Sequence, residues 1–174
     1  MNKGVKFITY TAALLSMLIV AQFFSKPLGQ LVTGALVNFI LISACLVVNV
    51  EAGLVVAIVS PFLASMLGIG PKLIELVAAI AVGNSVLVLT YYIIFRWIKR
   101  NSVSYPMAIA YGAILKFAAL YFGVVKFLLP FLNVGEAAMK AYGATFGITQ
   151  LFTAFLGGII AWIIVPTVKR AVKF

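Results

Sequence analysis

The sequence predicts an all-α integral membrane protein, a single bundle of six transmembrane helices, and three observations lead there. Hydrophobic residues make up 65% of the 174-residue chain and charged residues only 9%, against about 45–50% and about 25% in soluble domains. Apolar runs of membrane-crossing length, roughly 20 residues each, nearly exhaust the chain. The cations fall mostly in small clusters at the ends of those runs, where lipid headgroups and the orientation rule account for them. One membrane domain over residues 1–174 is therefore expected, with no room for a soluble catalytic or nucleotide-binding module.

The first span is read at about residues 5–24, stopping at Ser25-Lys26-Pro27-Leu28-Gly29. Its start resembles a signal peptide, but the apolar run outlasts the usual 7–15-residue core and Ser25-Lys26-Pro27 is a poor cleavage site, so a retained helix is expected. The second covers about 31–50. Glu51-Ala52-Gly53 makes a short break before a third, about 54–67, which Pro61 is expected to kink or partly unwind. Gly68-Ile69-Gly70-Pro71 is a turn signal. The fourth span, about 72–95, ends at Arg96-Trp97-Ile98-Lys99-Arg100. Pro106 suits the first turn of a fifth, about 106–129. A longer loop, 130–142, precedes the sixth at about 143–165.

Orientation follows from the cations. With six spans, Lys3 and Lys6, then Arg96, Lys99 and Arg100, then Lys169, Arg170 and Lys173 share one face, as do Trp97 and Trp162. The positive-inside rule makes that face cytoplasmic, with both termini inside (N-in/C-in) in a cell membrane. Three outer connections remain, 25–30, 68–72 and 130–142. No internal repeat is evident.

Composition also excludes chemistry. The net charge of +10 sets thirteen Lys/Arg against Glu51, Glu75 and Glu136; here it reflects the membrane, and no nucleic-acid partner is expected. The chain has no histidine and no aspartate, which removes Ser-His-Asp catalysis and His-based metal sites. The single cysteine, Cys45, lies in an apolar run and reads as a packed thiol. No Walker-type glycine loop is present. The expectation is a non-enzyme without metal or cofactor.

Polar residues inside the apolar runs are the candidates for function. Lys116 falls near mid-span, where an ionised lysine costs at least about 2.5–3.5 kcal/mol; a ligand, a polar cavity or an ion pair to a glutamate would each meet that cost. Gly112, Lys116, Ala119 and Gly123 lie on one helical stripe whose small residues leave space. Asn84 stands near mid-depth and Glu75 near the outer end of the fourth span, on opposite faces of a straight helix. Tyr142, Phe146 and Gln150 recur at four-residue spacing and suit a pocket wall or ordinary packing. Ala12 and Ser16, with Ala13 between them, form a small-x-x-x-small pair that lets another helix approach.

Taken together, the pattern resembles the S component, the substrate-binding subunit, of energy-coupling factor (ECF) vitamin transporters. Size, six spans, both termini inside and basic balance carry the resemblance over the whole chain. Locally, Thr11-Ala12-Ala13-Leu14-Leu15-Ser16 is similar to the family's Ala-x-x-x-Ala docking segment, with Ser16 replacing the second alanine. The stretches from Gly53 to Phe62, Ile69-Gly70-Pro71 and Val82-Gly83-Asn84 are similar too. The resemblance implies capture of a small water-soluble vitamin or precursor in an outward pocket, followed by uptake with a transmembrane coupling protein and two ATPases. It places Lys116, Asn84 and Gln150 on pocket-forming helices, Glu75 near the mouth, and Ala12, Ala13 and Ser16 against the coupling protein. Loop 25–30 would be a lid.

By chemistry, Lys116 favours a carboxylate or another strong acceptor, while Asn84 and Gln150 each supply donor and acceptor. Pantothenate-, pyridine- and pyrimidine-like compounds fit better than a cation. Two other classes remain open: a stand-alone small-solute carrier or channel, and a structural subunit of a membrane complex.

Overall fold

A computed structural model describes residues 2–132 and 134–172. It contains helices and turns, with no strand among the described residues. Helix α1 spans Lys3–Ser25, α2 Gln30–Ser43, α3 Val50–Met66, α4 Ile74–Trp97, α5 Asn101–Leu120, α6 Glu136–Phe146 and α7 Ile148–Ala171. Five helical stretches are long and apolar enough to cross a membrane, and α3, at 17 residues, is a shorter apolar helix beside them. The chain is an all-α membrane protein. Lys173, placed with the C-terminal basic cluster, lies outside the described residues, as does Asn133.

Several boundaries differ from the sequence reading, each for a local reason. The break before α3 falls at Asn49, not at 51–53: Asn49 is extended (φ −172°, ψ 176°) and its Oδ1 accepts from Ala52 N at 2.8 Å. That side-chain cap starts the helix earlier than the glycine suggested. Pro61 lies buried inside α3, which stays α-helical through it. Helix α5 begins at Asn101, so Pro106 is inside the helix rather than at its start. Ser104 Oγ donates to Arg100 O and Ile98 O at that end. The expected loop at 130–142 is largely structured, with a 3₁₀ turn Leu129–Phe131 and then α6. The sixth span is thus two helices, parted at Gly147 (φ −85°, ψ −136°).

Packing fixes the bundle. Helix α7 packs between α2 and α5, while α4 joins α5 to α3. Helices α2 and α7 meet at small residues: a Cβ on Gly34 would stand 2.7 Å from Thr153 Cγ2, and one on Gly157 would stand 2.6 Å from Asn38 Cβ. In lipid, such close approach supplies the contact that hydrophobic burial supplies in water. One core joins Leu41, Val56, Leu87, Tyr91, Ile109 and Val165. A smaller one, with Leu76, Leu120, Val124 and Phe146, lies toward α6. At the end carrying Arg96, Lys99 and Arg100, Tyr91, Phe95, Tyr105 and Trp162 form a chain of ring contacts across α4, α5 and α7.

Helix α1 is peripheral. It packs on α2 and α3, and only Thr11, Leu18 and Ser25 are buried along it. Ala12, Ala13 and Ser16 are exposed.

Candidate functional site

Opposite the basic end, a cavity of about 250 Å³ opens between the 25–30 and 68–71 connections and descends between α2, α4, α5 and α7. Its floor is Lys116. The side chain is only 3% exposed, and its Nζ donates to Asn38 Oδ1 at 2.6 Å and to Asn84 Oδ1 at 2.7 Å. Three helices therefore converge on one ammonium group. Each partner is itself positioned by packing. Asn38 Nδ2 donates to Thr153 Oγ1 at 3.3 Å, and Thr153 Oγ1 donates to Gln150 O at 3.2 Å. Asn84 follows Gly83, against whose bare Cα Leu120 of α5 packs; a Cβ there would lie 2.7 Å from Leu120 Cγ. That contact brings α4 close enough to α5 for Asn84 to reach Lys116.

The walls mix amides, hydroxyls and rings. Gln22, Gln30, Thr33 and Thr145 line it with Tyr142, Phe146 and Gln150. The break at Gly147 turns α6 away from α7, so Tyr142 and Phe146 come from one helix and Gln150 from the next. Gln150 Nε2 donates across that break to Thr145 O at 2.9 Å. The Tyr142 and Phe146 ring centroids are 6.4 Å apart. At the mouth, Lys26 Nζ donates to Gly68 O at 2.9 Å, tying the 25–30 connection to the 68–71 connection. Ser25 Oγ donates to Thr33 Oγ1 at 3.0 Å beneath it.

Of the residues singled out from sequence, Lys116, Asn84, Gln150, Phe146 and Tyr142 line this one cavity. Glu75 does not: it stands exposed on the first turn of α4, away from the lining. Neither is Lys116 paired with a glutamate, since its partners are the two amides. Gly123 also leaves the expected stripe. Beyond Leu120 the helix widens into a π-helical segment, Tyr121–Leu128, which shifts the angular spacing and leaves Gly123 exposed. Asn38 was not singled out, although an asparagine within an apolar run, with Gly34 and Ala35 one helical turn before it, carried a signal like that of Asn84.

Comparison of the chain with protein-family models, with curated proteins and with solved structures gives no match. The site is therefore read from its own chemistry. None of its lining residues is acidic, so its field is positive. No group of three or more His, Cys, Asp or Glu that could hold a metal occurs among the described residues. A second recess at the basic end is larger, about 540 Å³, but shallow and open, lined by Cys45, Asn49, Tyr92, Phe95, Arg96 and Lys169. The narrower cavity alone buries a charged side chain, and on that ground it is the candidate site.

Proposed function

We propose that the protein captures a small water-soluble solute in this cavity and is the substrate-specificity subunit of an ECF-type importer. The observation that carries the reading is the buried ammonium of Lys116 at the floor of a cavity of mixed polar and apolar lining within a membrane bundle. Intramembrane ionisable groups of this kind mark solute pathways and binding sites. A vitamin or vitamin precursor of pantothenate-, pyridine- or pyrimidine-like chemistry matches the cavity's mixture of amides, hydroxyls and two rings.

In this reading the basic end is cytoplasmic, by the positive-inside rule, and the cavity faces outward. The exposed Ala12, Ala13 and Ser16 of α1 receive a transmembrane coupling protein, and ATPase subunits supply the energy. The chain's own role is binding, not catalysis. Native mass spectrometry of the purified protein, followed by denaturing extraction, tests this, with one small solute held one-to-one as the expected result. Failure to bind any member of a vitamin panel, or unaided transport of solute in liposomes, overturns it.

A further inference from the structure

We infer that the captured solute is a small monoanionic carboxylate whose charged end sits on Lys116 at the cavity floor. The inference rests on the capture reading and narrows it from a list of vitamin-like compounds to one charge type in one orientation.

The argument begins with charge. Lys26 and Lys116 are the charged residues that line the cavity, and no Asp or Glu does. Lys26 is exposed at the rim, where water screens it, and its Nζ is held by Gly68 O. Lys116 is buried, and the two groups holding it are neutral amides. Amide dipoles solvate an ammonium without cancelling its charge, and an uncompensated buried charge is expensive. A negative charge delivered by the solute completes the site.

Hydrogen-bond direction gives the same answer. Both Asn38 Oδ1 and Asn84 Oδ1 are committed to Lys116, and Asn38 Nδ2 to Thr153. What the floor has left is donors: the third N–H of Lys116 and the amide nitrogen of Asn84, which no acceptor among the described residues takes. An ammonium has three donors and a carboxamide two. Two adjacent donor groups suit the two oxygens of a carboxylate, which only accepts. A single buried cation also sets the charge near −1. A phosphate monoester, at about −1.5 to −2, would bring surplus charge into the bundle.

Size and walls define the rest of the solute. A volume of 250 Å³ lies below the roughly 300–1,000 Å³ of pockets for drug-sized ligands. Above the floor, Tyr142 and Phe146 offer apolar contact to the solute's body, and Gln150, its nitrogen already used on Thr145 O, presents its carbonyl oxygen. A hydroxyl or N–H on the solute body, away from the carboxylate, meets that oxygen.

The test uses the full chain in detergent micelles and two arms. The first identifies any solute extracted from the purified protein. The second measures binding of matched pairs by calorimetry: nicotinate against nicotinamide, and pantothenate against pantothenol. An extracted solute bearing a single carboxylate and no phosphate, or an acid that binds at least about thirtyfold more tightly than its neutral partner, is expected. Lys116→Met should abolish that preference. Asn84→Asp guards against a folding defect, because the new carboxylate supplies Lys116 with an internal counter-charge. It should retain the thermal stability of the empty protein and lose acid binding by a similar factor. A neutral, cationic or phosphorylated solute, equal binding of both members of a pair, or wild-type acid binding by Asn84→Asp overturns the inference and leaves the capture reading standing. No bound solute in either arm overturns the capture reading and this inference with it.

Discussion

Replacing Gly157 by alanine should separate the two helices that hold the site. A Cβ at this position would lie 2.6 Å from Asn38 Cβ, 2.7 Å from Ala35 O and 2.9 Å from Phe39 N. Non-bonded heavy atoms normally rest about 3.5–4.0 Å apart, so α2 and α7 must part by about 1 Å. Because the obstacles include backbone atoms, side-chain rotation cannot relieve them. The cost belongs at the upper end of the roughly 1–3 kcal/mol range for overpacking. Alanine's better helix propensity returns about 1 kcal/mol, leaving a net loss of about 2 kcal/mol. Gly143→Ala in α6 is the control, since nothing lies within 4 Å of its Cβ position; it should gain up to about 1 kcal/mol. Thermal unfolding in detergent should then place the two variants about 6–12 °C apart, at roughly 2–4 °C per kcal/mol for a chain of this size. Gly157→Ala melting at or above the wild type would refute the close-packed seam.

Other substitutions probe individual contacts. Asn38→Ala leaves the Lys116 ammonium with one amide partner and should destabilise the protein by about 1.5–3 kcal/mol, measured by the same melting assay, while also weakening solute binding. Thr153→Val keeps the shape but removes the acceptor for Asn38 Nδ2, and should cost about 1–3 kcal/mol. Asn49→Ala removes the cap of α3 and should lower stability by about 1 kcal/mol without changing solute affinity. Lys26→Met breaks the bond to Gly68 O across the mouth; in stopped-flow measurements it should speed solute release several-fold while the melting temperature stays put.

The helical framework was legible because lipid imposes a simple rule: apolar segments of sufficient length with every backbone group satisfied internally. Lys116 and Asn84 stood out because polar side chains are costly in such segments. What the residues alone did not disclose was geometry across helices. That the amide oxygen of Asn38 would meet Lys116 depends on the α2–α7 approach at Gly34 and Gly157, a tertiary fact. Glu75 and Gly123 illustrate the converse. Glu75 was set near the mouth by its depth along a span, although helical spacing already put it on the opposite face of α4 from Asn84, and Gly123 was placed by a periodicity that the π-helical segment interrupts. The helix break at Gly147 was hidden because glycine followed by β-branched residues is ordinary within membrane helices.

The slender attachment of α1 has a mechanical meaning. Its buried residues, Thr11, Leu18 and Ser25, recur every seven positions and mark a seam, beside which Leu14, Leu15, Ile19 and Ala21 pack half-buried on the core. The far end of the same helix carries Gln22 into the cavity lining, Lys26 follows directly after it, and Ser25 grips Thr33 beside them. A rod held along one side, with its tip fastened to the mouth, is a lever. A load on the exposed Ala12, Ala13 and Ser16 therefore reaches the cavity's rim as well as the core on which Leu14 and Leu15 pack.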